Sequence, residues 1–232
     1  MIRGITKIIR GLARKFIELQ PAKEIKDNDL EYLLWISNLY LQIQSVPGHI
    51  AEVGVAGGRN TVLFGRLIQI HGDSSLRQYI GFDTFNGYND KDLERDKHLE
   101  EGNERWKAFS KKEVLERCID NGVDTEVELL EGDAELIVPK ILSEYTGKKF
   151  QKGKARFAIV YIDCNSYGVS LKSMQTFLPY MTPGGIFAID EKLQGGESEA
   201  MIEFAEINKL KIEKPGINQV PMIIRVPNID VS

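Results

Sequence analysis

The sequence predicts a doubly wound α/β fold: a seven-stranded, mostly parallel sheet with its last strand antiparallel and helices on both faces. Three observations predict it. Short apolar runs rich in β-branched residues alternate with helix-length amphipathic segments, the pattern of parallel strands buried on both faces. The first run leads directly into a glycine-rich turn, and several runs end on an acid. Ligands of open α/β sheets sit at that end of the strands.

Taken in order, residues 1–20, MIRGITKIIRGLARKFIELQ, form a basic amphipathic pattern with Ile2, Ile5, Ile9, Leu12 and Phe16 on one face. The segment lacks the cleavage site and the uninterrupted apolar core of a secretory signal. Leu30 to Ile43 cover a second helical face that ends at Pro47-Gly48. Residues 1–46 therefore read as a helical extension, a cap or dimer arm, ahead of the α/β domain at 47–232. Strand His49–Val53, helix Arg59–Ile70 and strand Gln78–Phe82 follow. Residues 86–125 break the alternation; within them Ser110 and Glu113 read as a capping box opening a surface helix, which leaves 86–109 as a lid-like insertion. Strand Glu126–Leu130 and helix Ala134–Tyr145 come next. The stretch 158–191 then reads as strand, helix, Pro-Gly-Gly turn and strand. Helix Ser198–Asn208 and strands at 211–213 and 219–226 close the chain, the last two too near each other for a crossover helix and so a hairpin.

Composition narrows the function. The chain has 232 residues, 42% of them hydrophobic, enough for one sizeable core. A net charge of −4 gives no basic field for nucleic acid. No apolar run approaches the length of a membrane span, so stable membrane insertion is not expected. Two cysteines, Cys118 and Cys164, make neither a disulfide framework nor a metal motif, which suits a reducing cytoplasm.

The chemistry concentrates at the strand ends. Glu52, Gly54, Gly57 and Gly58 lie in a turn that lets a ligand approach the backbone. The turn does not fit GxGxxG, since Ala56 and Arg59 stand where glycines are required, and it lacks the Gly-Lys-Ser/Thr of a phosphate loop. Asp83, with Thr84 beside it, stands at the tip of the second strand, placed for ribose hydroxyls. Asp133-Ala134 opens a helix, where Asp133 serves as N-cap, as ligand contact, or as both. Asp163, Asp190 and Glu191 supply carboxylate oxygens from two neighbouring strand tips, a set suited to magnesium.

Taken together, HIAEVGVAGGRNT, YIGFDTFNGY, the 158–191 stretch and the following GG and EAMIEF resemble the class I S-adenosylmethionine-dependent methyltransferases, and among them the macrocin O-methyltransferase family of sugar O-methyltransferases. The resemblance spans most of residues 49–205 and implies a Rossmann-like domain. It implies Glu52, Gly54 and Gly58 at the methionine part of the cofactor with Gly57 alongside, Asp83 and Thr84 at the ribose, Asp133 and Ala134 near the adenine, and Asp163, Asp190 and Glu191 at Mg2+. The chain departs from the family where Asp190-Glu191 replaces Asp-Asp, where Asn165 replaces the second acid of Asp-x-Asp, and where Lys192 replaces an aromatic residue.

The implied reaction is methyl transfer to a hydroxyl of a sugar, a glycoside or a nucleotide-linked sugar, with Asp163 or His98 as base, in a homodimer. His49 and His71 read as structural, and Tyr88, Trp106 and Tyr167 as rings able to stack on a sugar. Two other readings compete: a nicotinamide-dependent oxidoreductase, disfavoured by the failed glycine fingerprint, and a non-catalytic scaffold of the same fold.

Overall fold

A computed structural model describes residues 27–102, 104, 107, 109–144, 155–190, 195–214 and 222–227. The N-terminal amphipathic segment, Trp106, Glu191 and Lys192 lie outside the described residues. Two compact units separate between Leu34 and Trp35, and the sheet domain belongs to the second.

Helix α1 (Asp27–Gln42) precedes β1 (His49–Val53), α2 (Arg59–Ile70) and β2 (Tyr79–Asp83). Helix α3 (Asp90–Arg95), a 3-10 turn at Lys97–Gly102 and α4 (Lys111–Asp120) follow, then β3 (Val127–Glu131) and α5 (Ala134–Glu144). Strand β4 (Phe157–Ile162), α6 (Tyr167–Phe177), β5 (Met181–Ile189), α7 (Gly196–Asn208), β6 (Ile212–Glu213) and β7 (Ile223–Arg225) complete the order.

The seven strands form one sheet in the order β3-β2-β1-β4-β5-β7-β6. Strands β1 to β5 run parallel, while β7 is antiparallel to both β5 and β6. The expected terminal hairpin is therefore present. The order reverses between β1 and β4, which opens a crevice at their carboxyl ends.

Central position explains the apolar runs. Every residue of β1 and β4 is buried, whereas β3, at the sheet edge, alternates in exposure. One face is closed by α5, α6 and α7. There Phe177 stands edge-on to Phe82 and Phe157, with ring centroids 5.9 and 5.0 Å away, and Phe204 packs on Phe187. On the other face Phe64 of α2 meets Tyr79 and Tyr161. From Trp35 onward α1 joins this second layer. Tyr40 donates to Asp73 at 2.5 Å, and buried Arg77 pairs with Asp73 and donates to the carbonyls of Ile43 and Val46.

Two elements differ from their sequence reading. The Pro183-Gly184-Gly185 turn lies inside β5, which bulges: Phe157 pairs with Met181, but Ile159 pairs with Ile186. Gly184 and Gly185 stay in the sheet by exchanging backbone hydrogen bonds with Val226. The insertion after β2 carries helical structure at Asp90–Arg95 and Lys97–Gly102. Asn89 caps α3 through its side chain, and Asp92, Asp96 and Leu99 are buried. The capping box of α4 forms as its sequence requires, with Ser110 and Glu113 bonded reciprocally.

Phe177 is fully buried between two rings, so Phe177→Ala should cost about 3–5 kcal/mol of unfolding free energy in a urea titration.

Candidate active site

The crevice is lined by the neighbouring tips of β2, β1 and β4. The Gly54 amide donates to Phe82 O at 2.9 Å, and the Asp163 amide to Val53 O at 2.8 Å, so the ladder continues past the last residue of β1. A Cβ on Gly54 would fall 1.9 Å from the Asp163 carbonyl oxygen, and its φ of +94° favours glycine independently. Only glycine fits there. Gly58, with φ +78°, begins α2, and a Cβ on it would meet Val114 of α4 at 2.5 Å. Arg117 donates to the Gly57 carbonyl.

Asp83 does more than stand at a strand tip. Its Oδ2 accepts the amides of Val55 (2.7 Å) and Ala56 (2.9 Å), and its Oδ1 accepts that of Phe85 (2.6 Å). One carboxylate thus ties the β1 turn to the β2 tip. Ala56 (φ 45°), Phe85 (φ 50°) and Asn165 (φ 56°) are all left-handed non-glycine residues in the turns after β1, β2 and β4, strain of the kind that clusters at functional sites. Thr84 holds its own turn, donating to Gly87 O and accepting from the Asn86 amide. Asp133 caps α5, opened by Ala134, by accepting the Glu135 amide, while its other oxygen accepts from Asn89 of the insertion.

Below the turn lies a buried polar chain. Thr61 is hydrogen-bonded to Tyr79, Tyr79 donates to Glu52, and Asn60 Nδ2 donates to both Glu52 Oε1 (2.6 Å) and Asp163 Oδ2 (3.2 Å). Burial pushes the Glu52 carboxyl up to about 8, against the bonds from Tyr79 and Asn60 that favour its anion. Burial likewise raises Asp163 well above the carboxylate range, with Asp190, Glu197 and Glu52 adding repulsion. Asp190 accepts from Tyr161 OH at 2.8 Å, and Trp35 Nε1 donates to that hydroxyl at 3.4 Å.

The insertion docks on the same tips. Asn165 donates to Tyr88 OH at 3.0 Å, Ser166 to Asp92 at 3.2 Å, and the Tyr167 amide to Asp96 at 3.1 Å. Arg95 lies over the Tyr167 ring at 3.4 Å. Strand tips, glycine turn and docked insertion come together at the carboxyl end of the sheet, with Asp163 and Asp190 just past the neighbouring tips of β4 and β5.

A family model described as a methyltransferase domain matches residues 51–191, which include all of these tips. The chain belongs to this methyltransferase family. Among solved structures it is similar to CalS11, described as calicheamicin methyltransferase: 26% identity, 86% of this chain and 80% of that one, TM-score 0.67. A second structure, apo CalS11, described as TDP-rhamnose 3'-O-methyltransferase in calicheamicin biosynthesis, is 25% identical over 86% of this chain and 81% of that one, with TM-score 0.64. The O-methyltransferase NovP shares the fold at 18% identity, 85% and 80% coverage and TM-score 0.70. No curated protein matches the chain.

The sequence-predicted residues of this methyltransferase divide by place. The structure brings Glu52, Gly54, Gly57, Gly58, Asp83, Thr84, Asp133, Ala134, Asp163 and Asp190 to the carboxyl end of the sheet. His98 falls in the 3-10 turn, its side chain outside the described residues, as is Glu191. Among the described residues no group of three His, Cys, Asp or Glu is arranged to hold a metal ion. His49 accepts the Gln78 amide and His71 stacks on Tyr40, both structural as expected. Sequence reasoning missed Asn60, Tyr161 and Glu197. The signals were slight: an Asn opening the helix after the glycine turn, a Tyr two residues before Asp163, and a Glu following a Gly-Gly pair.

The folded-state value of Glu52 lies above its ordinary 4.5, so its acid form contributes stability that is full below that value and lost as pH rises through about 8. Glu52→Gln should flatten that part of the Tm against pH profile in calorimetry.

Proposed function

We propose that this methyltransferase transfers the methyl group of S-adenosylmethionine to a hydroxyl of a sugar, glycoside or nucleotide-linked sugar. The observation that carries the reading is the juxtaposition of Asp163 and Asp190, on neighbouring tips, with the Gly54–Gly58 turn that Asp83 braces. The sugar class rests on the likeness to CalS11, at 25–26% identity. A nucleotide-linked acceptor agrees with Lys192, a cation directly after the strand-tip acids in sequence.

The residues present fit the cofactor. The β1 turn exposes backbone to a close ligand, and Asp83 Oδ1, which accepts the Phe85 amide, retains lone-pair capacity for ribose hydroxyls. Asn60 Oδ1 is buried with no hydrogen-bond partner among the described residues, an acceptor suited to an ammonium group. Gly57, Gly58, Thr84, Asp133 and Ala134 complete our cofactor set. S-adenosylmethionine supplies an electrophilic methyl group. Asp163 would hold the acceptor hydroxyl toward that carbon and, as the carboxylate, take its proton. His98 is the second candidate base.

For a divalent cation, Asp163 and Asp190 fit as two hard oxygen donors, with Glu191 proposed as a third. Magnesium held there would lower the pKa of the acceptor hydroxyl. Segment 86–109 is assigned as a lid over the acceptor, on the support of its bonds to Asn165, Ser166 and Tyr167. Residues 1–46 are assigned as cap or dimer arm of a cytoplasmic homodimer. No described helix is long and apolar enough to cross a membrane.

Calorimetry with S-adenosylhomocysteine tests the cofactor half. Asp83→Ala should weaken binding by about 1–3 kcal/mol through loss of charged hydrogen bonds; unchanged affinity removes Asp83 from the site. Asp190→Asn should leave that affinity intact while suppressing methyl transfer to a panel of nucleotide sugars and glycosides that includes TDP-rhamnose. Full activity in EDTA would remove the metal.

A further inference from the structure

Glu197 is the second residue of α7 and is fully buried. Its Oε1 accepts the amides of Cys164 (2.6 Å) and Asn165 (2.5 Å), just past the tip of β4. Its Oε2 accepts the amide of Asp190, just past the tip of β5, at 3.3 Å. One carboxylate therefore spans the two turns that carry Asp163 and Asp190. Gly196, immediately before it, is wedged against the same place: a Cβ there would lie 2.5 Å from the Tyr167 amide nitrogen and 2.9 Å from the Asn165 carbonyl oxygen. Helix α7 starts hard against the β4 turn, and its first carboxylate reaches through to β5.

We propose that Glu197 is a positioning residue that fixes the spacing of Asp163 and Asp190 by clamping the two strand tips, and so sets the affinity of the acceptor side for a divalent cation. This deepens the reading of those aspartates given above and rests on it. The clamp needs both oxygens and the full length of the side chain. Glutamine keeps the length but has a single acceptor oxygen, so one tip faces an NH2 group instead. Aspartate keeps the charge and both oxygens but is one methylene shorter, so it cannot reach both tips.

The test compares wild type, Glu197→Gln and Glu197→Asp by calorimetric titration with Mg2+ in the presence of S-adenosylhomocysteine. Amide hydrogen exchange at Cys164, Asn165 and Asp190 is followed by NMR. Both variants are expected to bind S-adenosylhomocysteine like wild type, to lose about tenfold to hundredfold in Mg2+ affinity, as when a supporting partner of a metal ligand is removed, and to exchange faster at one or both tips. Wild-type Mg2+ affinity in either folded variant overturns the proposal, because loss in Glu197→Gln alone would be an effect of charge. If wild type itself takes up no Mg2+, the metal reading fails by itself, and the exchange rates decide: faster exchange at the tips supports the clamp, and unchanged exchange overturns it. Should Glu197→Gln not fold, Glu197→Asp carries the same comparison.

Discussion

The closeness of β1 to β4 at their carboxyl ends is the constraint on which the rest of the site depends. Gly54 has no room for a side chain because the Asp163 backbone occupies it. That contact places the Gly54–Gly58 turn and Asp163 within one residue layer. Asn60 then spans them through two hydrogen bonds from one NH2 group. A larger residue at 54 would have to part the central strands of the sheet, where every side chain is buried.

Buried acids are costly in such a layer, and the protein handles each differently. Burial raises the Glu52 carboxyl to about 8, and its two oxygens accept from Tyr79 and Asn60. Asp83 spends its charge on three backbone amides. Glu197 does the same across two turns. Among the described residues Asp163 accepts from Asn60, and Asp190 accepts from Tyr161. The two acids that brace the backbone each accept three amides, and each of the pair assigned to the acceptor accepts from one side chain among the described residues.

Much of this was legible in the sequence because it is local. Strand β1 and helix α2 begin and end where the apolar runs and the glycine turn place them, and the α4 capping box lies within four residues. Strand-end acids were equally readable, since a parallel strand must end where its apolar run ends. The bulge at Pro183–Gly185 was not, because pairing with β7, far along the chain, keeps those residues in the sheet. Nor was the bracing role of Asp83, whose partners at Val55 and Ala56 are 28 and 27 residues away. Glu197 reads as an ordinary first-turn acid of a helix until the fold brings 164, 165 and 190 to it.

The left-handed residues Ala56, Phe85 and Asn165 bear on how such a protein can be engineered. Replacing each with glycine would relieve local backbone strain, and a stability screen would select such changes early. Each of these residues, however, lies in a turn that shapes the crevice. Thermostabilised descendants of this chain would therefore tend to gain heat resistance by loosening the geometry that makes them enzymes.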